Sequence, residues 1–154
     1  MSAPRRGQGG AVAGLEGLAF GVLVLLAGTI LVVNAWAVLD TRSALDAAAQ
    51  EYLRAYTEAP DAATAATAGD AAARSALSAR GLRVAVTISA PDPGAFGPCR
   101  LAHVELAATV PAARLPFIGT VGSTELHVRH DELVDAHREL VGPAADLSGT
   151  VCGG

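Results

Sequence analysis

GLAFGVLVLLAGTILVVNAWAVL, residues 17–39, is an apolar run without a single charge, bracketed by Glu16 and Asp40. As a helix it reaches roughly 35 Å at about 1.5 Å per residue, enough to cross a hydrocarbon core of about 30 Å with some tilt. It holds no Pro, and its one side-chain amide, Asn34, lies near its far end, so the backbone polar groups are satisfied within the helix. Trp36 falls where an interfacial indole is expected. The run reads as a transmembrane helix over residues 11–39.

The flanks orient it. Arg5 and Arg6 are the only charges before Glu16, whereas Asp40, Arg42, Asp46, Glu51 and Arg54 mix both signs on the other side. An excess of Arg on the N-terminal side places that end in the cytoplasm of a single-pass membrane protein, with the rest of the chain extracytoplasmic. The rival reading is a cleaved signal peptide releasing a secreted protein, but its apolar region ordinarily spans about 7–15 residues. Residues 1–10, MSAPRRGQGG, have nothing to bury and are expected to form a disordered cytoplasmic tail.

No Gly or Pro interrupts residues 40–58, so the helix is expected to continue beyond the membrane and stop before Pro60. Leu45, Ala49, Tyr52, Leu53 and Tyr56 form a stripe on one face of that extension, which needs a partner to cover it. Residues 61–79 are Ala-rich and read as a second, short helix, open to interruption at Gly69 and stopped by Gly81.

The period then changes from helical to alternating. Leu82, Val84, Val86 and Ile88 alternate with polar or small residues, as do Val104, Leu106 and Val110 in residues 101–110 and Leu126 and Val128 in residues 125–129. Three strands are expected, joined by Pro- and Gly-rich loops at residues 91–99 and 111–123. Antiparallel neighbours are the economical arrangement. Residues 131–140 read as a short helix or turn. The fold class is therefore α+β: a long N-terminal helix, a second short helix, and a three-stranded antiparallel sheet packed on the helix extension. Residues 40–141 form the outer domain, and residues 142–154 a C-terminal tail.

Composition narrows the function. Aromatic residues make up only 4% of the chain, which excludes a thick aromatic core in the outer domain. A formal net charge of −4, and basic side chains that are all Arg with no clustered stripe, argue against binding nucleic acid. Cys99 and Cys152 both lie on the outward side, where disulfides persist. A bridge between them would close a loop of about 53 residues and stabilise by roughly 4 kcal/mol. Two thiols, or an intermolecular pair, are the alternative.

His103, Glu105, Glu125 and His127 share a strand face, and His with carboxylate can ligate zinc. Such residues also suit the solvated face of a half-buried sheet, where cross-strand pairs contribute fractions of a kcal/mol. His130, Asp131 and His137 share a face only if their segment is helical. No HExxH, CxxC, GxSxG or Gly-rich phosphate loop accompanies either group, so no catalytic, cofactor or metal site is assigned. Ala13, Gly17 and Gly21, at four-residue steps, suit close packing of a second helix. Glu16 marks the membrane interface or meets a positive partner in a neighbouring subunit.

The order of these features resembles the TadE-like proteins, pilin-related components of tight-adherence (Flp-type) pilus systems. The basic Gly-containing tail, Glu16 before the apolar run, the continuation ALDAAAQEYLRAY, and VELAATVPAARLPFIGTVGSTELHVRH carry the resemblance, which extends from Arg6 to about Arg138. It implies a non-enzymatic minor pilin or assembly component. Its implied partners are the lipid bilayer, other pilin-like subunits and pilus-assembly machinery, and a prepilin peptidase. Glu16 would match the glutamate of the processing motif, with the cut after Ala11 or after Gly10. Ala11 stands where that motif has Gly, and Gly17 where an aromatic often follows the Glu. Unprocessed, the chain would remain an anchored single-pass component. The competing class is an anchored extracytoplasmic binding or metal-dependent module using the His and Glu face.

Overall fold

The computed structural model describes residues 9–134. One helix, α1 (Gly9–Glu58), runs unbroken for 50 residues, and a second, α2 (Ala62–Ala79), folds back against it. Three strands follow, β1 (Val86–Ser89), β2 (Leu101–Leu115) and β3 (Gly119–Leu133), in an antiparallel sheet of order β1-β2-β3. The chain is α+β, with its sheet on the extension of the long helix.

The α1 stripe is the spine of the core. Leu45 and Tyr52 are 0% exposed, and Leu53 and Tyr56 are equally out of reach of water, against Val104 and Leu106 of β2 and Val128 of β3. On α2 the buried residues are Ala65, Gly69, Ala73 and Leu77, one face at four-residue steps. This ridge of small side chains lets α2 lie close on α1. A Cβ at Gly69 would sit 2.8 Å from two ring carbons of Tyr52, so only glycine fits under that ring. Gly69 is thus a packing position in a continuous helix rather than an interruption.

Local chemistry sets the ends of α2. The Asp61 carboxylate accepts the Thr64 backbone N–H at 2.9 Å, capping the start. At the far end the Gly81 N–H donates to the Ser78 carbonyl and the Leu82 N–H to the Leu77 carbonyl, with Gly81 at φ +68°. That pair of bonds is a Schellman stop, and the left-handed residue it needs is best supplied by glycine.

Four sequence expectations are corrected. The α1 helix begins at Gly9, two residues before the expected start and inside the stretch assigned to the tail. The expected 111–123 loop is mostly strand: β2 and β3 pair from Leu101↔Leu133 out to Leu115↔Gly119, leaving a three-residue turn at 116–118. Pro111 is tolerated in β2 because β1 pairs only with residues 105–108, so Pro111 lies on a free edge where its missing N–H breaks no ladder. The same proline explains why β1 is short. Continuing the Val86↔Ala108 register would set Arg83 against Pro111, so the strand expected over residues 82–89 pairs only from Val86. Finally, His130 and Asp131 lie in β3, opposite Val104 and His103, rather than in a helix or turn.

Backbone bonds tie the 91–99 connection to the sheet end. The Cys99 N–H donates to the Val134 carbonyl at 3.1 Å, and the Val134 N–H to the Arg100 carbonyl at 2.9 Å. Cys99 is not a free thiol. Cys152, the other half of the expected bridge, lies outside the described residues, as do His137 and the 142–154 tail.

Candidate functional site

Two surfaces could carry function: the apolar half of α1 with the hairpin arm beside it, and the outer face of the sheet. Every described side chain of α1 from Glu16 to Thr29 is exposed, including Leu18, Phe20 and Leu25. Trp36 is 71% exposed. This is the stretch that is long and apolar enough to cross a membrane, and none of its most apolar window is buried within the chain. Its few polar groups close on the helix itself. The Thr29 hydroxyl donates to the Leu25 carbonyl at 2.8 Å and the Asn34 amide to the Ile30 carbonyl at 2.8 Å, so neither needs water.

Ala13, Gly17 and Gly21 lie on this half of α1, and a Cβ at Gly17 or Gly21 would meet nothing within 4 Å. The surface at Gly17 and Gly21 is open. Gly10 and Ala11 are helical, in the first turn of α1, and Glu16 is exposed one turn further along.

The hairpin arm formed by the ends of β2 and β3 returns alongside this helix. The Asn34 side-chain amide donates to the Arg114 carbonyl at 3.1 Å, and its oxygen accepts the Arg114 N–H. One side chain thereby occupies both backbone groups of an edge residue, as a neighbouring strand would. Asn34, Asp40, Thr41, Val84, Val110 and Arg114 line a cleft between helix and arm. At the arm's end Phe117 is fully exposed and Ile118 is 74% exposed. Phe117 also has φ +68°, a left-handed conformation that costs a non-glycine residue about 1–2 kcal/mol.

The outer sheet face brings part of the His and Glu group together. His127 Nδ1 lies 2.9 Å from Glu105 Oε1, and its Nε2 lies 3.5 Å from Glu125 Oε1. The hydrogen bond to Glu105, reinforced by the Glu125 charge, raises the His127 pKa above its ordinary value. His103 stands apart from this group, opposite Asp131. Among the described residues no three His, Cys, Asp or Glu side chains are placed to hold a metal ion.

The inner face contains polar contacts that local sequence patterns miss. His130 Nε2 lies 3.1 Å from Asp46 Oδ1 of α1, and the Thr57 hydroxyl is 3.4 Å from Glu132 Oε1. Both join β3 to the helix. Tyr52, stacked on Tyr56 at 6.2 Å between ring centres, has its pKa pushed up to about 12, first by burial and then by the Asp70 charge. No family model, no curated protein and no solved structure matches this chain.

Proposed function

We propose that the protein is a single-pass, non-enzymatic pilin-like component of a TadE-like, tight-adherence pilus system, with its N-terminus cytoplasmic and its α+β domain extracytoplasmic. One observation supports the reading above the others. A single uninterrupted helix is apolar and bare over one half and buried under a small α+β domain over the other. A chain built to act on a substrate needs only a tether, whereas a chain that assembles needs a rigid connection between the span and the surface that meets the next subunit. The open glycines at 17 and 21 give a neighbouring helix close access on the membrane half. The mechanism is lateral packing of apolar helices, with the outer domain supplying further partner contacts.

The test is the mass and N-terminal sequence of the native protein together with its fractionation. The expected result is a membrane-bound chain starting at Met1 or Ser2, or near Ala11 after prepilin-type processing. A soluble chain starting beyond Trp36 overturns the proposal. Gly17→Leu combined with Gly21→Leu is expected to disturb assembly, and His103→Ala combined with His127→Ala to leave it working. The opposite pattern favours the anchored binding module.

A further inference from the structure

The polar contacts along α1 fix how the hairpin arm runs. Glu132 meets Thr57, His130 meets Asp46, and Arg114 meets Asn34, so successive contacts toward the turn step back along the helix toward its N-terminus. The arm therefore descends beside the apolar half of α1. Asn34 is about 8 Å along the helix from Leu39, the last apolar residue before Asp40. From Arg114, three further residues of extended chain carry the turn at most about 10 Å beyond that level.

The arm's sequence matches this position. From Leu115 to Thr124 it holds no charge, and Arg114 and Glu125 bracket it as Asp40 and Glu16 bracket the helical run. Leu115 is half-buried, but the apolar side chains nearer the turn are exposed: Phe117 at 108%, Ile118 at 74% and Val121 at 45%. The two uncharged stretches, far apart in the chain, are held level with each other by the Asn34 amide. We infer that the tip of the β2–β3 hairpin, with Phe117 and Ile118 at its end, inserts into the outer leaflet of the bilayer that α1 crosses. The inference rests on the anchored reading proposed above.

Backbone chemistry limits the depth. Open strand edges are excluded from hydrocarbon because their N–H and C=O groups have no partner there. Asn34 takes both groups of Arg114 and the Leu115↔Gly119 pair closes the ladder below it, but β3 is an edge strand whose outer N–H and C=O groups need water or headgroups, and this keeps the tip shallow. The tip belongs among headgroups and upper acyl chains, the Arg114 side chain reaching for phosphate and the Phe117 ring lying beneath. A second contact with lipid stops α1 from turning freely about its own axis, so the open glycines present a fixed direction to neighbours.

The full chain in phosphatidylcholine vesicles tests this. Trp36 is the only tryptophan, so Phe117→Trp in a Trp36→Phe background reports on the tip alone, at a side chain that touches nothing else. The expected result is a blue-shifted emission, quenched at least twofold more strongly by nitroxide lipids labelled near the headgroup than by lipids labelled near the chain end, and shielded from aqueous iodide. Iodide access without lipid quenching overturns the inference, because the tip is then in water. Shielding from both probes also overturns it, because the tip is then covered by another protein chain, a second copy included. Trp36 in the unsubstituted protein is measured beside it. If every lipid probe fails to quench Trp36, the anchored reading falls and takes the inference with it; if Trp36 is quenched and position 117 is not, the inference alone falls.

Discussion

The two halves of α1 share one backbone, yet Leu18 and Leu25 are 66% and 69% exposed while Leu45 is fully covered. On the first half apolar residues occur all round the helix, and on the second they keep to a stripe with Arg42, Gln50, Glu51 and Arg54 outside it. A helix that is hydrophobic all round needs an apolar medium, and one with a stripe needs one apolar neighbour. Among the described residues, the chain buries side chains of α1 only from Thr41 onward, with Ile30, Asn34 and Val38 half-covered.

The contrast can be broken first at its leucines. Leu45→Ala is expected to destabilise the outer domain by about 2–5 kcal/mol, the usual cost of emptying a packed site. Leu25→Ala, on the bare half, is expected to leave the unfolding midpoint of that domain unchanged. Denaturant unfolding of the detergent-solubilised chain, followed through the sheet signal, measures both. Equal losses would mean that the halves do not differ in role.

The glycines give a smaller version of the same test. Gly69→Val drives a side chain into the Tyr52 ring, which is itself buried, and is expected to cost about 1–3 kcal/mol. Gly21→Val meets open space and should leave the tyrosine near-UV melting curve of the outer domain where it was. A stable Gly69 variant would show that α2 can move away from α1 at little cost.

The outer sheet face sharpens the comparison from the solvated side, with the smallest effect. Because Glu105 raises the folded-state pKa of His127, the pair's contribution is full below the ordinary imidazole value of about 6.5 and is lost as pH rises through the raised value. Nuclear magnetic resonance titration is expected to place His127 above its ordinary value, and Glu105→Gln to return it toward that value. No change in the variant would remove Glu105 as the cause.

Much of this architecture is legible in the residues because its signals are local. The uncharged run, the stripe from Leu45 to Tyr56, the Pro60 stop and the alternation of Val104 and Leu106 each follow from one short window. The hairpin arm is not legible in that way. Pro111, Gly119 and Gly122 read as loop punctuation, and only the absence of a β1 partner beyond residue 108 makes Pro111 harmless in a strand. The contacts of Asn34 with Arg114 and of His130 with Asp46 join residues 80 and 84 positions apart, beyond any periodicity. Gly69 illustrates the same limit: a possible break on paper, it is a seat for a ring brought from another helix. On the candidate site, the open glycines and the exposed apolar half were readable, and the position of the arm beside them was not.

An unbroken α1 also has a mechanical consequence. At about 1.5 Å per residue its 50 residues form a rod of about 75 Å. Leaning that rod by about 10° would sweep its far end sideways by roughly 13 Å. With no hinge between the two halves, a push or pull on one end is delivered to the other as displacement, as through the shaft of an oar.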